Sequence, residues 1–299
     1  MKRNILNSPG LLELKKRRQR VILNKILIFL LGLAVIFISS VYISRLDSLN
    51  IKEIEIVGNK IVETEILKTA LEQQITGKYL WLFPKTNILY YPQNAIKNEL
   101  QNKFKRLQDI NLSIKNYKTL KVSLSERIAL YTWCGVKIPE VPEALLVESS
   151  ISKASGTNQK CYFMDEDGYV FDEAPYFSGD IYFKFYGLLD TVNPLGSYFS
   201  KQNFKQLILF KDVLVGMKLK IAGLNIINNE DAEMIFLKEA SSETEPKIIF
   251  KINADFQHIA ENLQAAINTE PLKSKFKNKY RALQYIDLRF ENKVYDKFL

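Results

Sequence analysis

The sequence predicts an α+β protein with three parts. An N-terminal transmembrane helix leads into a small domain of strand–helix–helix–strand–strand order, and a larger, sheet-dominated mixed β domain follows. Three observations carry this. Residues 26–44 form nineteen positions without a charge, and residues 51–124 pass from alternating to helical periodicity and back. From Ile128 onward, short alternating runs are separated by turn-forming residues. The parts are a basic cytoplasmic tail (1–25), the helix (26–44), the small domain (45–127) and the β domain (128–299).

At about 1.5 Å per residue the apolar run covers roughly 28 Å, close to the hydrocarbon thickness of a bilayer. It lacks the polar face of a core helix. It is also longer than a signal-peptide apolar region and ends without an Ala-x-Ala pattern, so an uncleaved anchor is expected. Lys2, Arg3, Lys15, Lys16, Arg17, Arg18, Arg20 and Lys25 precede it against one acid, Glu13, whereas Arg45 and Asp47 follow and cancel. The positive-inside bias places the N-terminus in the cytoplasm, giving a single-pass type II protein of the inner (cytoplasmic) membrane with extracytoplasmic C-terminal domains.

The formal charge of +9 is concentrated in that tail, because residues 45–299 hold 34 Lys/Arg against 32 Asp/Glu. A nearly neutral exported part argues against nucleic acid as a partner. An apolar content of 47% is enough to bury a core.

The elements follow in order. Ile54 and Ile56 alternate with charged neighbours as a half-buried strand, and Gly58-Asn59 supplies a turn. Thr64 opens a helix with Ile66, Leu67, Ala70, Leu71 and Ile75 at three- and four-residue steps, closed by Gly77. A second helix follows Pro92 with Ala95, Ile96, Leu100 and Phe104 on one face. Strands at 110–114 and 120–124 meet at a turn around Asn116 and Tyr117. Both helices are expected on one face of the three-stranded sheet. Between them Trp81, Leu82 and Phe83 form an aromatic knot, read as core packing in preference to membrane or partner contact. Further on, Glu166-Asp167-Gly168 joins strands 162–165 and 169–171 as a hairpin. A strand at 181–185, a helix at 199–215, strands at 220–227, 233–237 and 247–252, and a helix at 256–267 come next. Strands 283–290 and 293–298 meet at Glu291-Asn292. The longest low-complexity stretch is 149–159. Cys134 and Cys161 lie on the exported side in β-like runs, which leaves open both a bridge and two buried thiols.

Catalytic chemistry finds little support. His258 is the only histidine and sits in the 256–267 helix, which suits a structural role. The acids Asp165, Glu166, Asp167, Asp172 and Glu173 cluster at the hairpin, where Gly168 favours a solvated turn over a catalytic carboxylate pair. No phosphate-binding glycine loop, CxxC pair or His-x-x-x-His is present. The expectation is a non-enzyme without cofactor, metal or small-molecule substrate.

Four stretches resemble the bacterial cell division family FtsQ, called DivIB in Gram-positive bacteria. Ile51-x-x-Ile54-x-Ile56-Val57-Gly58-Asn59 is similar to the first strand of its POTRA domain. Residues 124–133, Leu-Ser-Glu-Arg-Ile-Ala-Leu-Tyr-Thr-Trp, are similar to the passage into its β domain. Residues 163–171 match its Asp-x-x-Gly hairpin, and Tyr285-Ile286-Asp287-Leu288-Arg289-Phe290 matches its near-terminal strand. Ala129 replaces the family's usual proline, Asn116-Tyr117 stands in a turn that is often Trp-Pro-like, and residues 175–252 match poorly. The resemblance implies a divisome scaffold, enriched at the septum, that binds other bitopic division proteins of the FtsB/FtsL type by β-strand addition and links recruitment to septal peptidoglycan synthesis. Carried over by position, it implicates Lys293, Val294, Tyr295, Asp296, Lys297 and Phe298 as the docking edge. Ile286, Leu288 and Arg289 then belong to the supporting strand. A different reading of Lys293 and Lys297 is that they deter pairing at an exposed edge. The competing function is a POTRA-containing envelope protein that handles or assembles exported polypeptides.

Overall fold

The computed structural model describes residues 9–136, 160–175, 177, 181–189, 193–200, 202–237, 245–279, 282–290 and 292–299. The low-complexity stretch at 149–159 lies outside them. The fold is mixed α+β, with an N-terminal apolar helix and a sheet-rich C-terminal part. Two compact units divide the chain: residues 1–102 with 109–125, and residues 103–108 with 126–299.

The first unit begins with α1 (Pro9–Ser44), a 36-residue helix that runs through the basic segment as well as the apolar one. Its Lys15–Ser44 portion has a mean hydropathy of 2.8 over its most apolar window, none of it buried, and is long and apolar enough to cross a membrane. Strand β1 (Glu53–Val57), helix α2 (Thr64–Ile75), a two-stranded hairpin β2 (Lys78–Tyr79) and β3 (Phe83–Pro84), and helix α3 (Gln93–Lys103) follow. Strands β4 (Leu107–Lys115) and β5 (Thr119–Glu126) complete a three-stranded sheet of order β1-β5-β4. β1 runs parallel to β5 with Ile54 opposite Leu120 and Ile56 opposite Val122. The helices between β1 and β4 supply the crossover that such a parallel pair requires. Leu67, Ala70, Leu71, Ile75, Ile96 and Leu100 of the helices are buried, as are Leu120, Val122 and Leu124 of β5. Gly58 at φ +106° ends β1 where an added Cβ would lie 1.8 Å from the Leu124 carbonyl oxygen, so only glycine fits.

The second unit is built on one nine-stranded mixed sheet. Its strands are β6 (Tyr131–Trp133), β7 (Cys161–Met164), β8 (Val170–Ala174), β9 (Phe183–Tyr186), β10 (Ile221–Ile226), β11 (Asp231–Phe236), β12 (Lys247–Lys251), β13 (Leu283–Phe290) and β14 (Lys293–Phe298). They lie in the order β14-β13-β12-β11-β10-β9-β6-β7-β8. β9 and β10 are parallel neighbours joined through α4 (Phe204–Gly216). β12 and β13 are parallel neighbours joined through α5 (Phe256–Asn268) and α6 (Leu272–Lys279). These crossovers lay helices on one sheet face. There Phe204, Leu207, Phe210, Leu214, Ile259 and Leu263 share a core with Phe185, Leu224, Met234, Ile248, Phe250 and Ile286. The opposite face carries charge, including the pairs Lys247–Glu233 (2.7 Å) and Arg289–Asp231 (3.0 Å).

Several expectations change. The 199–215 helix begins only at Phe204, because Ser200 sits at φ +47° and breaks it, leaving Phe199 to enter the core from a loop. Trp81 is not a core residue but the most exposed side chain of its loop, 90% accessible. Cys134 and Cys161 are bridged: the β6–β7 register sets Trp133 opposite Tyr162, which brings the next pair together with Cα atoms 4.1 Å apart.

Candidate functional site

β14 is the margin of the nine-stranded sheet, and β13 is its one neighbour. The hairpin places Tyr285 opposite Lys297, Ile286 opposite Asp296, Asp287 opposite Tyr295 and Phe290 opposite Lys293, with register shifts at both ends. Along β14 exposure alternates: Lys293, Tyr295 and Lys297 are exposed, whereas Val294, Asp296 and Phe298 are half-buried. The pleat puts Tyr295 and Phe298 on opposite faces. Phe298 and Val294 pack against the core, and Tyr295 stands outward at 48% exposure.

Packing on one face and hydrogen bonds on the other hold β13. Ile286 and Leu288 are core residues, so their part in any docking is to hold the edge from behind. Asp287 is buried on the other face; its Oδ1 accepts the backbone N–H of Arg289 (3.0 Å) and the Arg289 Nε–H (3.0 Å). Its Oδ2 accepts Arg289 Nη2–H (2.6 Å), and Arg289 Nη1 reaches Asp231 Oδ2 (3.0 Å). The hydrogen bond to Asp287, followed by that to Asp231, raises the guanidinium pKa above its already high ordinary value, so the charge is permanent. The Asp-x-Arg spacing thus ties the strand to itself across one bulge and to β11.

Lys275, which the sequence did not single out, and Phe290, the last residue of the supporting strand, shape the edge. Lys275 of α6 donates to Asp296 Oδ2 (3.0 Å) and lies 5.5 Å from the centre of the Phe298 ring, fixing the inner side of β14. Phe290, 51% exposed, meets Tyr295 edge-on at 5.1 Å and makes the outward tyrosine part of an aromatic pair. The signal for Phe290 was its place at the hairpin end. Lys275 had none, since eight residues rich in lysine show little helical periodicity.

His258, Asp165 and Asp172 have structural partners. His258 is exposed, with Nε2 near Asn292 Oδ1 (3.1 Å) and Asn262 Nδ2 (3.2 Å), and Asp255 caps its helix. Asp165 differs from expectation: it is buried, not solvated. Its Oδ1 accepts the Asp167 and Tyr169 backbone N–H groups, and its Oδ2 pairs with Arg127. Asp172 accepts Arg106 Nε–H and Nη2–H at 3.0 and 2.6 Å. Both acids are bound by arginines rather than poised as a pair. A groove of about 610 Å³ between α4 and α5 is lined mainly by apolar groups such as Leu209, Val213 and Phe256. Its Asp255 is consumed as a helix cap, and its Glu261 accepts from Gln257. Among the described residues no cluster of three His, Cys, Asp or Glu side chains is placed to hold a metal ion.

No protein-family model matches the chain, and no curated protein matches it.

Proposed function

We propose that this chain is a bitopic, non-catalytic adaptor of the FtsQ/DivIB type, whose last strand accepts a β-strand from a partner division protein. The observation that carries the reading is the position of β14: a sheet margin with an outward aromatic pair, backed by a strand locked through Asp287, Arg289 and Asp231. A strand at such a margin offers backbone N–H and C=O groups to another chain. The four stretches that resemble the family lie at β1 and its turn, at the passage from β5 to β6, at the β7–β8 hairpin and in β13. In particular, the Asp165-x-x-Gly168 turn is held by Arg127 and by a glycine whose Cβ would strike the Phe204 ring at 2.7 Å.

The first unit supports a POTRA reading: two helices lie between the first and second strands of a three-stranded sheet whose outer strands flank β5. α1 would hold this unit at the inner membrane with the N-terminus in the cytoplasm, as the charge bias requires. The POTRA unit then serves recruitment, and the β unit captures bitopic partners of the FtsB/FtsL type and couples them to septal peptidoglycan synthesis. The test is co-purification of such partners with the tagged full chain, together with its position in dividing cells. A midcell ring that depends on the chain, and partner capture lost on Tyr295→Pro, are expected. A uniform envelope signal with no captured division protein would reject the reading.

A further inference from the structure

The β2–β3 hairpin ends in the turn Tyr79-Leu80-Trp81-Leu82, closed by Leu82 N–H donating to the Tyr79 carbonyl (3.0 Å). Both central residues have positive φ, 46° at Leu80 and 63° at Trp81. That is the pattern of a type I′ turn, where Asn-Gly is favoured because a Cβ is penalised. The β4–β5 turn in the same unit meets the same demand with Asn116 and Tyr117, at 53° and 56°. Backbone geometry therefore does not explain Leu and Trp at the β2–β3 tip. Core packing does not either, because the two side chains are 83% and 90% exposed.

What lies beside the tip does explain them. Phe83 meets Phe37 of α1 edge-on at 6.0 Å, Arg45 Nε donates to the Leu82 carbonyl (3.2 Å), and Asn87 Nδ2 donates to the Ser44 carbonyl (3.0 Å). Phe37 precedes Ser44 by seven residues, about 10 Å down the helix into its apolar run. Lys78 is exposed on the hairpin, and Lys85 sits 5.7 Å from the centre of the Tyr79 ring. Together with Arg45 they put cations around an apolar tip, the order of groups met on passing from lipid headgroups to acyl chains.

We propose that the Leu80–Trp81 tip inserts into the outer-leaflet interface of the bilayer, a second and shallow lipid contact beside the anchoring helix. The proposal rests on the reading of α1 as a membrane span. Full-length protein is reconstituted in phosphatidylcholine vesicles containing brominated acyl chains, and tryptophan emission is compared between the native chain and Trp81→Phe. The chain has two tryptophans, 81 and 133, so the difference isolates Trp81. The expected result is a blue-shifted component, quenched by the brominated lipid, shielded from iodide and lost in Trp81→Phe. Quenching of that component by iodide and not by lipid would overturn the proposal. Lipid quenching undiminished in Trp81→Phe would also overturn it. Flotation after alkaline extraction reads the helix separately. Protein that floats yet shows an iodide-quenched Trp81 rejects the tip alone, whereas protein stripped from the vesicles rejects the span and the tip with it.

Discussion

Tyr295 lies across the terminal hairpin from Asp287, and its ring rests edge-on against Phe290 with centroids 5.1 Å apart. The residue opposite it is buried and bound by both the backbone N–H and the guanidinium of Arg289, so the tyrosine projects from a strand that is tied on its far side. Under the proposed function, an aromatic held this way at an open margin is the expected binding hot spot.

Under the proposed reading, Tyr295→Ala weakens partner binding by about 2 kcal/mol, roughly thirtyfold in Kd. Lys297→Ala, a flexible charged side chain on the same exposed face, changes it by less than about threefold. Calorimetric titration of both variants with the partner checks the contrast. Equal effects would remove Tyr295 from its central place.

Arg127→Met leaves the buried Asp165 carboxylate without its cation and removes a guanidinium stacked 4.2 Å over the Tyr169 ring. The expected loss is about 3 kcal/mol of stability in the second unit, read from thermal unfolding of the solubilised full chain.

Gly58→Ala and Gly168→Ala are both destabilising, and the first more so. Its new Cβ meets a backbone carbonyl at 1.8 Å, which cannot move aside, whereas the second meets the Phe204 ring at 2.7 Å. Losses above about 2 kcal/mol are expected for Gly58→Ala. Limited proteolysis of each unit ranks the two.

The Cys134–Cys161 bridge closes a loop of 27 residues. Constraining such a loop in the unfolded chain is worth about 3.5 kcal/mol on the chain-entropy account. Replacing both cysteines by alanine should lower the unfolding midpoint by an amount of that order, and reducing agent should have no further effect on the variant.

Burial raises the phenol pKa of Tyr91, Tyr131 and Tyr169 above the ordinary 10.0. Above that value the unfolded chain ionises first and binds fewer protons than the folded one, so stability falls as pH rises. Stability is therefore unaffected by these groups below about pH 9 and declines beyond about pH 10. Tyrosine absorbance followed alongside unfolding should show a late-titrating fraction that joins the rest only as the fold is lost.

Much of the architecture was legible because local pattern and tertiary need coincide. Ile54 and Ile56, the 162–171 hairpin and the 283–298 hairpin combine two-residue alternation with turn residues, and each became paired strands. What escaped had no local signature. β2 and β3 are two residues each, too short for a period. α6 reads as a charged run, although Leu272 is buried and Phe276 packs on the core. The burial of Asp165 depends on Arg127, 38 residues away, and Trp81 stands exposed on a turn whose positive φ values its residue types do not announce. The sheet margin was legible in position but not in orientation. Alternation told that β14 has two faces, and only the core beneath Val294 and Phe298 decided which one faces out.

The most direct measurement of the adaptor reading is amide hydrogen exchange along β14 in the full chain, alone and with the captured division partner. Strand addition should slow exchange at alternate amides of residues 293–298, where outward N–H groups gain acceptors, while β11 and β12 stay unchanged. Binding that protects other segments and leaves β14 exchanging as before would contradict it.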